Sequence, residues 1–228
     1  MTWLTPAPAL GLVFPDGLAP VEPPVTLLPT TAVTVRDDGE PLVPIEGALA
    51  TLPLYARLPV PFRFDGLLLR ATVLERLVRA DAALPQGWTI CVIDAWRPLA
   101  FQRALLAHYA QSHPGSLDGY VADPDAAVAP PHTTGGTADL TLAWHGTPLG
   151  LGTDFDDFSP AAAPAALEGG DADLSGRLGR RLLSQVLRGV GFVVNPYEWW
   201  HWEVGTQYWG QVTGTPLIPF GLVGEPAT

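Results

Sequence analysis

The 228-residue sequence has no lysine, a single cysteine and few charged side chains, which make up 15% of the chain. The single cysteine, Cys91, excludes an intrachain disulfide. Its position in the apolar run W-T-I-C-V-I predicts a small buried strand residue rather than a nucleophile. Twelve basic residues against 23 acidic ones give a formal net charge of −11. This balance argues against nucleic acid as a partner, because binding to phosphates depends on positive charge.

Long apolar runs are also missing, and none approaches the roughly 18 residues that a membrane-spanning helix requires. The first basic residue is Arg36, and prolines from Pro6 to Pro24 interrupt the segment before it. A secretory signal would need a basic stretch followed by an apolar run. We therefore expect a cytoplasmic protein without a membrane partner.

What the chain does have is apolar content sufficient for a core, since hydrophobic residues make up 47% of it. This content and the length predict one globular domain over residues 1–228. Residues 1–64 are rich in proline and predict an irregular arm that packs on the rest of the domain.

The regular secondary structure is expected after this arm. Leu67, Ala71, Leu74 and Val78 recur at helical spacing and predict an amphipathic helix that ends before Pro85. Further helices are predicted at 98–109 and 174–190, and strands at 88–94, 137–143, 191–194 and 198–204. Because helices and strands do not strictly alternate, the pattern favours an α+β fold over a doubly wound parallel sheet. We expect a largely antiparallel central sheet flanked by helices, with the functional cleft on the sheet.

Two of the five histidines lie close in sequence to acids. His132 lies on the loop P-P-H-T-T-G-G-T-A-D before Asp139, where glycines let the backbone bring the imidazole towards the carboxylate. Glu198 precedes His201 in E-W-W-H. Two imidazoles and one carboxylate (His132, Asp139 and His201) would hold one zinc ion per chain and leave a position open for water. Glu198 would then be the general base for that water, whose pKa zinc lowers to ~7.

Strand geometry supports this division of roles. Residues three apart on a regular strand point to opposite faces, so Glu198 and His201 can share one site only if the chain between them is irregular. We expect Glu198 at a distorted strand entry after Pro196, and His201 within the strand. Trp199, Trp200 and Trp202 are expected to exclude water from the site. Alone, E-W-W-H is equally compatible with a hydrophobic strand that carries a surface acid.

Two further stretches supply polar candidates. Arg97, in D-A-W-R-P, lies at a strand-to-helix turn where a guanidinium can face a developing oxyanion. Alternatively, it forms a surface ion pair or a hydrogen bond at the helix start. In G-T-D-F-D, Asp154 and Asp156 are candidates for binding a cationic amino group, although an acidic stretch of this kind is more often a solvated loop.

Taken together, these four stretches resemble one family. D-A-W-R-P, H-T-T-G-G-T-A-D-L-T-L, G-T-D-F-D and E-W-W-H occur in this order in the zinc-dependent D-alanyl-D-alanine dipeptidases known from vancomycin resistance. These belong to the wider group of D-Ala-D-Ala carboxypeptidase-like metallopeptidases. The resemblance covers roughly residues 65–205 and implies that this part is the catalytic core of an α+β domain.

The resemblance also implies roles for individual residues. His132, Asp139 and His201 would hold zinc, and Glu198 would be the general base and then the acid. Arg97 would stabilise the tetrahedral intermediate, and Asp156 would bind the free amino terminus of a dipeptide.

Three residues depart from the family pattern: Pro130 stands where serine is common, Thr137 where alanine is common, and Trp202 where a smaller aromatic residue is usual. These departures bear on the shape of the pocket. Two alternatives remain at this point. One is a carboxypeptidase or endopeptidase that acts on longer peptidoglycan peptides. The other is a zinc-binding module without catalysis, which predicts that the base or the oxyanion donor is missing.

Overall fold

The computed structural model describes residues 2–25, 33–61, 66–113, 115–169 and 173–224. Within these ranges the strands are β1 Thr5–Pro6, β2 Thr34–Val35, β3 Leu42–Pro44, β4 Ala50–Thr51, β5 Leu68–Arg70, β6 Trp88–Asp94, β7 Thr137–Trp144, β8 Thr147–Gly150, β9 Val193–Val194, β10 His201–Glu203 and β11 Leu217–Ile218. The α-helices are α1 Ala71–Ala82, α2 Leu99–Ser112, α3 Leu174–Gly189 and α4 Gln207–Thr213. Short 3-10 helices lie at Ala7–Ala9, Leu54–Arg57, Pro131–Thr134 and Pro160–Ala162. No helix in the described ranges combines the length and apolar character needed to cross a membrane.

The central sheet is built around the long antiparallel pair β6–β7. On its other side β7 pairs antiparallel with β10 near its start and with β8 near its end. β9 continues the sheet antiparallel to β10, while β4 and β1 are parallel additions to β6 and β8. The predicted α+β fold, a single domain with a largely antiparallel sheet, is confirmed.

Apolar faces of the helices cover this sheet. In α1 the fully buried residues Val73, Leu77 and Ala80 follow one face at helical spacing, and α1 packs against both α3 and β6. α3 buries Leu183 and Leu187 in the same way and packs against β7. Cys91 is buried in β6 as predicted, and burial raises the pKa of its thiol to about 11, so it has no thiolate character at neutral pH.

The first predicted helix begins later than the sequence indicated. Leu68–Arg70 form β5, antiparallel to Leu42–Pro44, and the helix starts only at Ala71. Leu67, the first residue of the predicted repeat, is buried just before β5 rather than on the helix. The predicted helix face is also wrong, because Val78 is 39% exposed and the helix buries Val73, Leu77 and Ala80 instead. Burial beside a strand and burial on a helix face give similar local patterns.

The predicted N-terminal arm contributes short elements to the core. β1 and β4 extend the central sheet, and the 3-10 helix Leu54–Arg57 buries Leu54 and Tyr55. The arm's bounds stay a prediction.

Candidate active site

The candidate site lies where three neighbouring strands bring polar residues into register. Asp139 near the start of β7 is paired with Asp94 at the end of β6 and with His201 at the start of β10. The sheet therefore sets three ionisable side chains side by side across adjacent strands. Because paired residues on neighbouring strands are only about 4.5–5.5 Å apart, such side chains can share one ligand.

His132 reaches the same place from the 3-10 helix Pro131–Thr134. Gly135 ends this turn with a φ of 74°, and an added Cβ would come within 2.5 Å of the Leu42 side chain, so the turn requires glycine. The His132 carbonyl accepts a hydrogen bond from the Arg97 amide at 3.2 Å. His132 Nδ1 lies 2.6 Å from the Ala95 carbonyl oxygen, which fixes the tautomer with hydrogen on Nδ1.

This orientation directs His132 Nε2 into a buried cluster with Asp139 and His201. Asp139 Oδ1 lies 3.2 Å from His132 Nε2 and 3.2 Å from His201 Nδ1. One ligand atom from each residue lies within 4.8 Å of the others, and all three side chains are buried. Among the described residues, His132 Nε2 and Asp139 Oδ1 have no hydrogen-bond partner of good geometry. One nitrogen from each histidine and one carboxylate oxygen converge here, and two of these three atoms have no protein partner, so the donor set fits a divalent metal ion.

The charges around Asp139 keep it ionised. Burial raises the pKa of this carboxyl, but the charge and hydrogen bond of His132 and the hydrogen bond of His201 outweigh burial and hold the pKa below its usual value. Its other oxygen, Oδ2, accepts a bond from Arg97 at 3.0 Å. Asp139 is therefore an anion shared between the histidine pair and the guanidinium.

His201 has a second buried acid on its opposite nitrogen. Glu203 is 1% exposed, and its Oε1 lies 3.5 Å from His201 Nε2, while its Oε2 accepts a hydrogen bond from the Thr206 hydroxyl. Burial lowers the pKa of His201, but Asp139 and Glu203 outweigh it and raise the pKa to about 10. Glu203 thus lies on the Nε2 side of the ring and Asp139 on the Nδ1 side, so an imidazole that loses one proton to bind a metal through Nδ1 keeps the other beside Glu203.

Glu198 lies in a turn just before β10, and His201 is the first residue of the strand. The predicted strand from Glu198 to Val204 is therefore shorter, because the His201 amide bonds to the Glu198 carbonyl oxygen at 3.3 Å rather than to a neighbouring strand. This irregular entry puts Glu198 Oε2 3.7 Å from His201 Nδ1. Burial raises the pKa of Glu198 well above its usual value; His201 opposes this, and Asp139 and Asp156 reinforce it.

Arg97 is buried, so the alternative of a surface ion pair is wrong. Its Nε donates to Asp94 Oδ2 at 2.5 Å and its Nη1 to Gln102 Oε1 at 3.0 Å, in addition to the bond with Asp139. The guanidinium also stacks on Tyr55, with 5.0 Å to the ring centroid. Three of its five N–H groups are directed at these acceptors, which leaves two for a ligand.

The two aspartates of G-T-D-F-D have different positions. Asp154 accepts bonds from the backbone amides of Trp3 at 2.6 Å and Leu4 at 2.9 Å, so it anchors the N-terminal arm and is not available for an amino group. The predicted exposure of this stretch is also wrong, because Phe155 and Ala162 are buried in the core.

Asp156 faces the cavity. Its backbone has a φ of 57°, an uncommon conformation for a residue with a Cβ. Its carboxylate accepts hydrogen bonds from the hydroxyl of Tyr55 at 3.1 Å and from that of Tyr109. Burial raises the pKa of Asp156, and although the Tyr109 bond opposes this, the pKa reaches about 7.

One cavity of about 120 Å³ joins these groups. All six residues predicted from the sequence line it: Arg97, His132, Asp139, Asp156, Glu198 and His201. Tyr120, Phe158 and Asn195 complete part of its wall. The other three histidines, His108, His113 and His145, do not line it.

The three tryptophans of E-W-W-H-W lie behind the cavity rather than on its wall. None of them is among the described residues that line it. Trp200 packs on Phe155 at 5.5 Å between ring centroids, and the Trp202 indole donates to the Trp199 carbonyl at 2.9 Å. They form the apolar core behind the turn of Glu198, and the expectation that they exclude water from the site stays a prediction.

Five functional neighbours were not predicted: Tyr55, Asp94, Gln102, Tyr109 and Glu203. The sequence could have indicated two of them. Glu203 lies two residues after His201 and therefore on the same strand face, and Asp94 lies three residues before Arg97 at the end of a strand. Tyr55 and Tyr109 come from distant parts of the chain, and no local pattern connects them to Asp156.

A buried His–Asp–His cluster with an adjacent glutamate, in one cavity of an α+β domain, is characteristic of a metal-dependent hydrolase. The family model described as D-Ala-D-Ala dipeptidase, peptidase family M15, matches residues 66–214. The chain belongs to this family and is a metallopeptidase, as its motifs predicted.

Two curated relatives agree with this assignment. A D-alanyl-D-alanine dipeptidase from Synechocystis sp. is 30% identical over an alignment 221 positions long, gaps included, that covers 80% of this chain and 89% of that protein. A protein of the same name from Escherichia coli is 32% identical over 126 residues, which span 52% of this chain and 56% of that protein.

Proposed function

We propose that this chain is a zinc D,D-dipeptidase that hydrolyses D-Ala-D-Ala, with zinc held by His132, Asp139 and His201. The observation that carries the proposal is the convergence of the three potential ligands, a buried glutamate, an arginine and an aspartate in one cavity. The names of the two relatives support the choice of substrate.

The donor atoms suit zinc. Two imidazole nitrogens and one carboxylate oxygen match the ligand sets of catalytic zinc sites that keep a position open. When bound, zinc would supply Lewis-acid polarisation and lower the pKa of water to ~7.

Glu198 would move the proton. It is buried beside His201 and lines the cavity, so its carboxylate can accept a proton from the attacking water and return it to the leaving amine. A raised pKa makes a carboxylate a better base at neutral pH, because proton transfer is most effective when the pKa lies near the working pH. Removal of such a group typically costs ~10²–10⁴-fold in rate.

Arg97 would bind the developing oxyanion of the substrate, and Asp156 would bind its amino terminus. The remaining N–H groups of Arg97 can donate to the oxyanion that develops on the peptide carbonyl, and bonds to Asp94, Gln102 and Asp139 hold the guanidinium in place beforehand. Asp156 provides an anion for the amino terminus of the substrate, oriented by Tyr55. Because both catalytic groups are present, we favour an enzyme over a zinc-binding module without catalysis.

The two candidate activities are a dipeptidase and a peptidase that acts on longer peptidoglycan peptides. They differ in the number of substrate residues that the cavity must admit. An acidic group for a free amino terminus favours a short substrate, because a longer stem would place a neutral amide beside Asp156. Tyr55, from the N-terminal arm, lines the cavity beside Asp156 and occupies space that a longer stem would need. Both features support a dipeptide.

A panel of free D,D, L,D and L,L dipeptides and a pentapeptide stem, assayed with and without a chelator, tests the proposal. We expect hydrolysis of D-Ala-D-Ala above the other substrates, loss of activity on chelation and recovery on addition of zinc. Activity that persists after complete metal removal would contradict the metal mechanism. A preference for the pentapeptide would replace the dipeptidase with a carboxypeptidase or endopeptidase.

A further inference from the structure

Arg180 of α3 is a buried cation that bonds to backbone rather than to an acid. It is 3% exposed. Its Nε donates to the Leu151 carbonyl at 2.7 Å, its Nη1 to Ala163 at 2.7 Å and its Nη2 to Ala161 at 2.9 Å. Among the described residues no carboxylate lies within ion-pair distance of it. The neighbouring Arg181 differs, since it pairs with Glu168 at 2.5 Å.

The three carbonyls belong to both ends of one segment, residues 151–163, which we call the amine-side segment. The only regular structure within it is the 3-10 turn Pro160–Ala162, and Asp156 lies between the two anchored ends. The positive φ of Asp156 is an uncommon conformation for a residue with a Cβ, although aspartate adopts it more readily than most. The bonds to Arg180 fix both ends of the segment that holds this conformation.

Arg180 also connects the amine-side segment to the turn that carries Glu198. Its guanidinium lies over the ring of Trp199, 5.8 Å from the centroid, and Trp199 directly follows Glu198. The Trp199 amide donates to the Ala162 carbonyl at 3.0 Å, and its indole donates to Thr153 Oγ1 at 2.9 Å. One guanidinium thus contacts the segment of Asp156 and the residue next to Glu198.

Such a contact matches the geometry of arginine and not that of lysine. The planar guanidinium presents donors in several fixed directions, whereas an ammonium on a flexible stem is a point charge that cannot reach three separated carbonyls in the same geometry. Burial of this cation against uncharged carbonyls, its hydrogen-bond acceptors among the described residues, carries a desolvation penalty, so an apolar side chain would be favoured here if packing were the only requirement.

We propose that Arg180 is a positioning residue for substrate binding: it fixes the amine-side segment so that Asp156 faces the cavity at a set distance from Glu198. This inference rests on the proposed function, in which Asp156 binds the amino terminus of the substrate. Arg180 itself does not line the cavity.

Kinetics of Arg180→Lys test the proposal, with Arg181→Lys on the same helix as the matched control. We expect Arg180→Lys to raise KM for D-Ala-D-Ala ~10-fold, with kcat within ~3-fold and bound zinc unchanged, because misplaced binding groups weaken ground-state binding. Arg181→Lys should leave both constants within ~2-fold. A purely structural role predicts instead a lower melting temperature with normal KM in the folded fraction.

A double-mutant cycle identifies the residue through which Arg180 acts. In an Asp156→Asn background, Arg180→Lys should change KM by less than ~2-fold, since the group that it positions is already altered. If the double variant raises KM by the product of the two separate effects, the proposal is overturned.

Backbone hydrogen exchange provides a readout that does not depend on activity. Arg180→Lys should speed amide exchange within residues 151–163 relative to Arg181→Lys, and unchanged exchange there would refute the positioning role even if the wild-type chain hydrolysed no dipeptide. If Arg180→Lys does not fold, Thr153→Val removes the indole bond to the same segment. Thr153→Val should then raise KM and speed amide exchange within residues 151–163, both to a smaller extent than expected for Arg180→Lys. If it changes neither KM nor exchange, the proposal is also contradicted.

Discussion

The two halves of the cavity are built in different ways. On the metal side, Asp94, Asp139 and His201 occupy paired positions on three adjacent strands. On the amine side, Asp156 lies on an irregular segment, and its partners Tyr55 and Tyr109 come from the N-terminal arm and from α2. One half is held by sheet register, the other by side-chain bonds between distant segments.

In the proposed mechanism, this difference separates chemistry from recognition. Strand register fixes Asp139 and His201 more closely than a loop would, which suits side chains that must hold a metal. Segments between regular elements can vary without loss of the core, which suits groups that select a substrate. We therefore expect substitutions on the metal side to change kcat or metal affinity, and those on the amine side to change KM.

The largest effect is expected for Glu198→Ala. Loss of the general base should lower kcat by at least ~10², while zinc stays bound because Glu198 is not among the three potential ligands. Steady-state kinetics together with metal analysis of the purified variant measure both quantities. Glu75→Ala, an exposed acid on α1, serves as the control. Wild-type turnover by Glu198→Ala would remove this residue from the mechanism.

Glu203→Gln tests the support of His201. An amide cannot accept the imidazole N–H as strongly as a carboxylate does, so His201 should present Nδ1 to the metal less well. Loss of such an outer partner typically weakens metal binding ~10–100-fold. Competition with a chromogenic chelator measures the affinity, and Glu75→Gln is the control. Unchanged zinc affinity in a folded Glu203→Gln protein would mean that Asp139 alone orients this imidazole.

The contrast between the two halves also explains what the sequence could predict. His132, Asp139, Glu198 and His201 were found because acids and histidines lie close together in two short stretches, and strand parity placed Glu198 outside the strand. The resemblance to a family then assigned their roles. Zinc itself, and the roles of these residues, stay predictions.

The partners of Asp156 could not be found in the same way. Tyr55 and Tyr109 meet it only through tertiary packing, and their sequence surroundings are those of ordinary apolar segments. The start of α1 was misjudged for a related reason, because Leu67, the first residue of the predicted repeat, is buried just before strand β5 and not on the helix. Local patterns report burial, but they do not report which distant segment covers a residue.

Asp156→Asn should affect binding rather than turnover. An amide keeps the shape of the side chain but loses the negative charge for the substrate ammonium, and a charged hydrogen bond contributes about 1.5–3 kcal/mol. KM should therefore rise ~10–100-fold with kcat changed much less. Asp157→Asn is the matched control, since Asp157 is the next acid in the chain and does not line the cavity. A fall in kcat at constant KM would place Asp156 with the reacting groups.

The smallest expected effect is the pH dependence of KM. It distinguishes titration of the Asp156 carboxyl from titration of a group on the metal side. Burial raises the pKa of Asp156 to about 7, so below pH 7 the free protein carries this side chain mainly in its neutral form. An ammonium binds the ionised form, so KM should rise as the pH falls, by roughly eightfold from pH 7.5 to pH 6 for a single group with this pKa. The dependence should vanish in Asp156→Asn while the pH profile of kcat stays the same. If KM of Asp156→Asn still rises at low pH, the titrating group lies on the metal side and the two halves are not separable.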